Sequence, residues 1–253
     1  MSSTLQTIGA AMRAEADALR LSSINIANAD TPAYRRQVMA SQPMQAQFDS
    51  VLNQATTGAT LQPIVAATTT LGIDMRPGTL KSTQEPLNVA LDGSGFFVVQ
   101  GSNDGGDVGS LLLTRRGDLH VSADGVLVTS TGAPILGAKG PIVVGTSIPT
   151  ISADGSVRID NQIVDELRIA NVADGSKLQP LGDGTYRAAA ADATEGERVT
   201  SVRQGFLETS NVAQVNEVVQ LMETMRRFES EQKVALAYDG MLDKAISALG
   251  KVR

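Results

Sequence analysis

Cysteine and tryptophan are absent from the 253 residues, aromatic side chains make up only 3%, and His120 is the single histidine. Without cysteine there is no disulfide, no thiolate nucleophile and no cysteine-ligated zinc, and the lack suits either an oxidising compartment or the cytosol. One histidine and no cysteine leave the usual catalytic triads and zinc sites without their parts. Clustered positive charge is missing as well: 21 Lys and Arg stand against 27 Asp and Glu, a net charge of −6. A sequence-independent grip on nucleic acid needs a basic stripe, so nucleic acid is not an expected partner. No apolar run reaches the ~18 residues that a membrane span requires. The start, MSSTLQTIGAAMRAEADALR, is amphipathic rather than a charged tip followed by an apolar run, so it does not read as a cleaved secretory signal.

What is present is 42% hydrophobic residues and 24 glycines, enough for a packed core built from small and aliphatic side chains. Two segments carry helical periodicity. Leu5, Met12, Leu19 and Ile26 fall seven apart, with Ile8 between, and Ser3 with Gln6 suits a capping box. Glu15 and Ser22 make the second spine positions weak, and Gly9, Ala16 and Ser23 beside them permit close approach of another helix. Pro32 pushes Thr31 out of the α region and ends the helix. At the other end, Val218, Leu221, Met225, Phe228, Ala235, Leu242, Ile246 and Leu249 follow three- and four-residue spacing, interrupted by Gln232 and Asp239. Asn211 is expected to cap this helix with Gln214 at its third position. Run without a break to Leu249, it would be about 58 Å long at ~1.5 Å per residue, too long for a compact domain of this size. Both stripes are narrower than a core helix needs, which favours helices that seek partners.

Between them the texture changes to short Val, Ile and Leu runs punctuated by Asp-Gly: VSADGVLV from Val121, ISADGSVRI from Ile151 and NVADGSKL from Asn171. Asp-Gly between such runs is a hairpin signal. DGSGFFVV from Asp92 reads as a turn feeding a buried strand, because no helix follows to hold a phosphate. NDGGD at 103–107 lacks the spacing of a calcium loop and reads as a hairpin tip. His120 lies in an apparent strand. No residue is therefore expected to act as catalyst, cofactor ligand or metal ligand. The fold class expected is α+β, with long N- and C-terminal helices forming a discontinuous coiled-coil-like domain (1–34 and 206–253), an extended connector (35–71) and a β-rich central domain (72–205).

The stretch NIANADTPAY resembles the N-terminal signature of the flagellar axial proteins of the rod and hook, through Asn25, Ala27, Asn28, Thr31, Pro32 and Tyr34. Ala33 stands where that family usually has glycine. Three further stretches agree: RPGTLKSTQEPLNVALDGSGFFVV from Arg76, TRRGDLHVSADGVLVTSTGAPILG from Thr114, and GFLETSNV from Gly205, which contains Ser210, Asn211 and Val212. The length and LGDGTYR from Leu181 resemble the proximal rod members, with the distal rod and hook-type members as alternatives. The resemblance implies a non-enzymatic subunit that leaves the cell without a cleaved signal, through the flagellar type III export apparatus. It further implies assembly with itself and other rod subunits into a torque-transmitting shaft across the periplasm. A β-rich carbohydrate-active enzyme or adhesin is the reading from a different class, supported only by the hairpins.

Overall fold

The computed structural model describes residues 2–40, 70–101, 110–182, 184–195 and 200–250. The chain divides into two compact units: a helical unit (1–27, 39–71 and 213–253) and a β unit (28–38 and 72–212). Of the expected connector, residues 41–69 lie outside the described residues, and its two ends are the strands Gln37–Ala40 and Thr70–Ile73.

The β unit is organised around a six-stranded antiparallel sheet. Its spatial order is Gln179–Gly182, Thr185–Ala189, Ser110–Thr114, Gly95–Val99, Ile169–Val172 and Ala193–Glu195. The strand Gly95–Val99 is buried along its whole length, which is why FFVV reads as an unbroken apolar run. Successive side chains point to opposite faces. Phe96 and Val98 therefore join one cluster with Leu113, Ala170, Val172 and Tyr186, while Phe97 and Val99 join another with Val89, Leu119, Leu127, Ile135 and Val157. Two of the Asp-Gly units are hairpins: Leu119–Val121 pairs with Leu127–Thr129, and Thr150–Ile151 with Ser156–Ile159, with Gly125 and Gly155 at positive φ in the turns. The third is not. After Asn171 the chain makes a 3-10 turn, Gly175–Lys177, capped by the Asp174 carboxylate accepting from the Ser176 amide. That turn carries the chain from the interior of the sheet to its far edge rather than back along its neighbour.

The helical unit contains α1 (Ser2–Ala27) and α2 (Gln214–Gly250), which pack along one another. Here the expected fold class is corrected. Among the described residues there are only these two α-helices against nineteen strands in seven sheets, and the terminal coiled coil is not formed. A coiled coil needs apolar residues at both seam positions. On α2 the less exposed positions are Glu217, Leu221, Thr224, Phe228, Glu231, Ala235 and Tyr238, so polar residues hold alternate places in the seam. On α1, Ser22 and Asn25 are buried and Glu15 is half-buried.

Candidate assembly site

The stretch NIANADTPAYRR spans the end of α1 and the first segment of the β unit. After Ala27 the chain turns: the Thr31 amide donates to the Asn28 carbonyl at 3.1 Å, and the Thr31 hydroxyl donates to the Asn28 side chain at 3.2 Å. Pro32 has no amide to continue a helix. Ala33 then adopts φ 56°, is 1% exposed, and donates its amide to the Glu208 carbonyl at 2.8 Å. The left-handed region costs a non-glycine residue roughly 1–2 kcal/mol, so Ala33 keeps a turn whose geometry favours glycine. Tyr34 follows, buried.

Beneath this turn lies an ionic node that the sequence did not advertise. Glu208, on the strand Phe206–Glu208, is 3% exposed and sits between two buried guanidinium groups. Arg35 Nη1 approaches one carboxylate oxygen at 2.8 Å and Arg115 Nη1 the other at 3.0 Å. The Gly78 amide donates to the same carboxylate at 2.7 Å. Arg35 also donates to the Arg76 carbonyl at 2.6 Å, and Arg115 to the Gly93 carbonyl. Arg115 lies over the Phe96 ring, 5.3 Å from its centre, and Tyr186 meets that ring edge-on at 5.9 Å. Burial pushes the Arg115 guanidinium down to about 10 against the pull of Glu208, and burial pushes the Tyr186 phenol up. Each arginine keeps a buried Nε without a partner, so the node holds two cations on one carboxylate.

Three of the stretches that carry the resemblance meet here, through Gly78, Arg115 and Glu208, and Arg35 directly follows the end of the fourth, NIANADTPAY. Two glycines permit the closeness. A Cβ on Gly78 would lie 1.9 Å from the Thr209 carbonyl oxygen, and one on Gly117 would lie 1.5 Å from that of Val89. Both approaches are possible only to a residue without a side chain.

Asn211 is not the helix cap expected of it. The Arg36 amide donates to its Oδ1 at 2.7 Å, and its Nδ2 donates to the carbonyls of Asp74 and Arg76 at 3.0 and 2.8 Å. The asparagine thereby stitches the first and last segments of the β unit to the segment after Ile73, and α2 begins at Gln214, three residues later. Gly205 sits at φ 80°, with its carbonyl accepting from the Thr83 amide at 2.8 Å, while the Ser210 hydroxyl accepts from the Val212 amide at 3.1 Å.

In the helical unit, Asn25 is 1% exposed and Ala27 is exposed. Met12, Leu19 and Ile26 are half-buried, as are Leu221 and Phe228. Val218 and Met225, placed on the same expected stripe, are 40% and 48% exposed. The side chains of Leu5, Leu242, Ile246 and Leu249 lie outside the described residues. In the β unit, His120 is exposed, with Nδ1 3.2 Å from the Asp118 carbonyl, and Asp92 makes a surface pair with Arg203 at 2.7 Å. The 103–107 loop lies outside the described residues. Among the described residues no three His, Cys, Asp or Glu side chains gather as a metal site, and no helix is long and apolar enough to cross a membrane.

Sequence reasoning missed Arg35, Arg115 and Glu208. The only local signal was a doubled arginine after an aromatic or threonine, in AYRR and TRR, and a lone glutamate inside FLET. Nothing in the sequence says that the first arginine of each pair turns inward.

Comparison with known proteins fits this geometry. A family described as the flagellar hook protein FlgE/F/G D1 domain matches residues 90–161, and one described as the flagellar basal body rod FlgEFG protein C-terminal matches residues 203–248. The chain is 30% identical over 246 residues to the flagellar basal-body rod protein FlgG of Buchnera aphidicola subsp. Acyrthosiphon pisum, covering 89% of this chain and 92% of that one. The chain belongs to the flagellar basal-body rod protein family. It is 33% identical over 228 residues to the FlgF rod protein of Salmonella typhimurium, covering 85% of each. The flagellar hook protein FlgE of Brucella abortus is 36% identical over 121 residues, 48% of this chain and 27% of that one. This rod-family member is a structural subunit and not an enzyme. The two matched regions contain Arg115 and Glu208 respectively, so the ionic node joins the D1 part of the family to its C-terminal part.

Proposed function

We propose that this rod subunit assembles through its terminal helices with copies of itself and with other flagellar rod and hook subunits, as part of a shaft that crosses the periplasm and transmits torque. The supporting observation is the second stripe on α2. Val215, Val218, Met222 and Met225 recur at three- and four-residue spacing and are 40–76% exposed, with Val219 beside them at 51%. A side chain of this kind gains ~1.5–3 kcal/mol when fully buried, and the seam with α1 leaves these uncovered. The family-motif residues Asn25, Ala27, Asn28, Thr31, Pro32, Tyr34, Gly205, Ser210, Asn211 and Val212 then shape the end of α1, the turn that follows it and the segment that precedes α2. Delivery through the flagellar type III export apparatus, without a cleaved signal, follows from the same reading.

Within the family we assign the chain to the proximal, FlgF-type position. The reading rests on the length of the chain and on LGDGTYR from Leu181; identity favours it only slightly, at 33, 33 and 28% to three FlgF proteins against 28–30% to four FlgG proteins. Met222→Asp and Met225→Asp should abolish recovery of the subunit in purified basal bodies and abolish swimming, with thermal stability of the purified chain within ~0.5 kcal/mol of the parent. Normal incorporation of both variants would show that this stripe is not an assembly contact. Complementation decides the position: the chain should restore swimming to cells lacking FlgF and not to cells lacking FlgG.

A further inference from the structure

The apolar pattern of the helix pair does not define one alignment. Leu5, Met12, Leu19 and Ile26 on α1 are seven apart, and so are Leu221, Phe228, Ala235 and Leu242 on α2. Sliding one helix by a heptad, about 10 Å at ~1.5 Å per residue, again sets apolar residues against the partner stripe, with the overlap shortened by one heptad at the end where α1 stops and α2 starts. Heptad spacing alone therefore leaves part of the choice between these alignments to the other contacts of the chain.

Two polar contacts share one alignment. Asn25 Nδ2 donates to Glu217 Oε2 at 3.4 Å, and Arg227 Nε lies 3.6 Å from Glu15 Oε1. Ten residues separate Asn25 from Glu15 on α1, and ten separate Glu217 from Arg227 on α2 in the opposite chain direction, so both pairs belong to a single antiparallel register. They are unequal in weight. Arg227 is 60% exposed, and such pairs contribute little. Asn25 is 1% exposed and Glu217 2%. A slide of one heptad in one direction puts Glu217 opposite Ala18, which has no donor. The other direction carries it past the end of α1. Either slide takes the Glu217 carboxylate away from Asn25, and no apolar gain offsets the loss because the slide brings no new apolar contact.

We propose that Asn25 and Glu217 form the register pin of the helix pair: the apolar members of the seam, such as Leu221 and Phe228, hold α1 on α2, and this buried polar pair favours one of the heptad-related alignments over the others. The assignment gives the first asparagine of NIANADTP a function inside one subunit, and it does not depend on how subunits meet.

The absence of cysteine makes the test direct. In the full chain, Ala18→Cys with Thr224→Cys lies seven residues along each helix from the pin and reports the native register. Ala11→Cys with Thr224→Cys reports a slide of one heptad. With Asn25 and Glu217 intact, mild oxidation should link the 18/224 pair and leave the 11/224 pair at background. With Asn25→Leu and Glu217→Leu together, the 11/224 yield should rise clearly above background. The exchanged variant, Asn25→Glu with Glu217→Asn, keeps a carboxylate and an amide in the seam and should return the 11/224 yield to background. Unchanged exclusion of 11/224 in the double leucine variant would overturn the proposal, since the register would then be fixed elsewhere. Failure of 18/224 to link in the otherwise native chain would overturn it equally, because α1 would not lie on α2 in this alignment.

Discussion

The β unit and the helical unit place charge and apolar surface in opposite ways. In the β unit the largest apolar side chains are inside, although Val143, Ile148, Ile163 and Leu181 are exposed, and a carboxylate with two arginines is enclosed among them: Phe96, Phe97 and Leu113 are 0–1% exposed, and Glu208 is 3% exposed. In the helical unit the seam itself is polar at every other position, and Val215, Val218, Met222 and Met225 face outward. A unit that closes on its own core has solved its folding problem within one chain. A unit that buries Glu217 and Thr224 while leaving valines and methionines outside has apolar surface that its own seam does not cover.

The sharpest way to break this comparison is to neutralise a carboxylate in each unit. Glu208→Gln leaves Arg35 and Arg115 buried without a counter-charge, and removal of one member of such a group costs ~3–5 kcal/mol. Urea unfolding followed in the β unit should show a loss of that size. Glu15→Gln removes the partner of the largely exposed Arg227 and should change stability by less than ~0.5 kcal/mol. Equal losses would mean that Glu208 is not the keystone described here.

The legibility of the two units differed for related reasons. FFVV was readable as a buried strand because it is apolar at every position, whichever face it shows. Two Asp-Gly hairpins were readable because the turn is local. The third, NVADGSKL, obeyed the same local pattern but serves a long-range crossover, which only the sheet order dictates. Asn211 had the residue type and spacing of a cap, yet its side chain is satisfied by strands more than 130 residues away in sequence. Of the expected α2 stripe, Leu221 and Phe228 are half-buried while Val218 and Met225 are exposed beside the buried Glu217 and Thr224, because periodicity groups apolar residues without saying which of them face α1. Arg35, Arg115 and Glu208 lie on three separate stretches, and their meeting is a property of the topology alone.

A smaller effect separates backbone cost from packing. Ala33 holds φ 56° in a site 1% exposed to solvent. Ala33→Gly removes the left-handed penalty but loosens the unfolded chain, so stability should stay within ~1 kcal/mol of the parent. Ala33→Val adds a β-branched side chain where neither the backbone angle nor the space allows it, and should cost ~2–3 kcal/mol. Thermal unfolding of the pair measures both. A valine variant as stable as the glycine variant would show that the turn relaxes freely, and the tie between Ala33 and the Glu208 carbonyl would lose its significance.

The smallest effect lies at low pH and refines the account of charge inside the β unit. Burial works against the Asp118 charge, but the hydrogen bonds and positive charge of Arg116, whose Nη2 lies 2.6 Å from Oδ2, together with a hydrogen bond from Ser130, hold this carboxyl below its ordinary value. A carboxyl lowered in the folded state contributes stability that is fully present above its unfolded value of ~3.9 and is lost as pH falls through the folded value. With about a sixth of each side chain exposed, the contribution is below ~1 kcal/mol. Asp118→Asn should therefore be slightly less stable than the parent at about pH 6, and the difference should shrink as urea midpoints are taken down toward about pH 3. A difference that stayed constant over that range would assign the loss to the geometry of the Arg116 side chain rather than to the Asp118 charge.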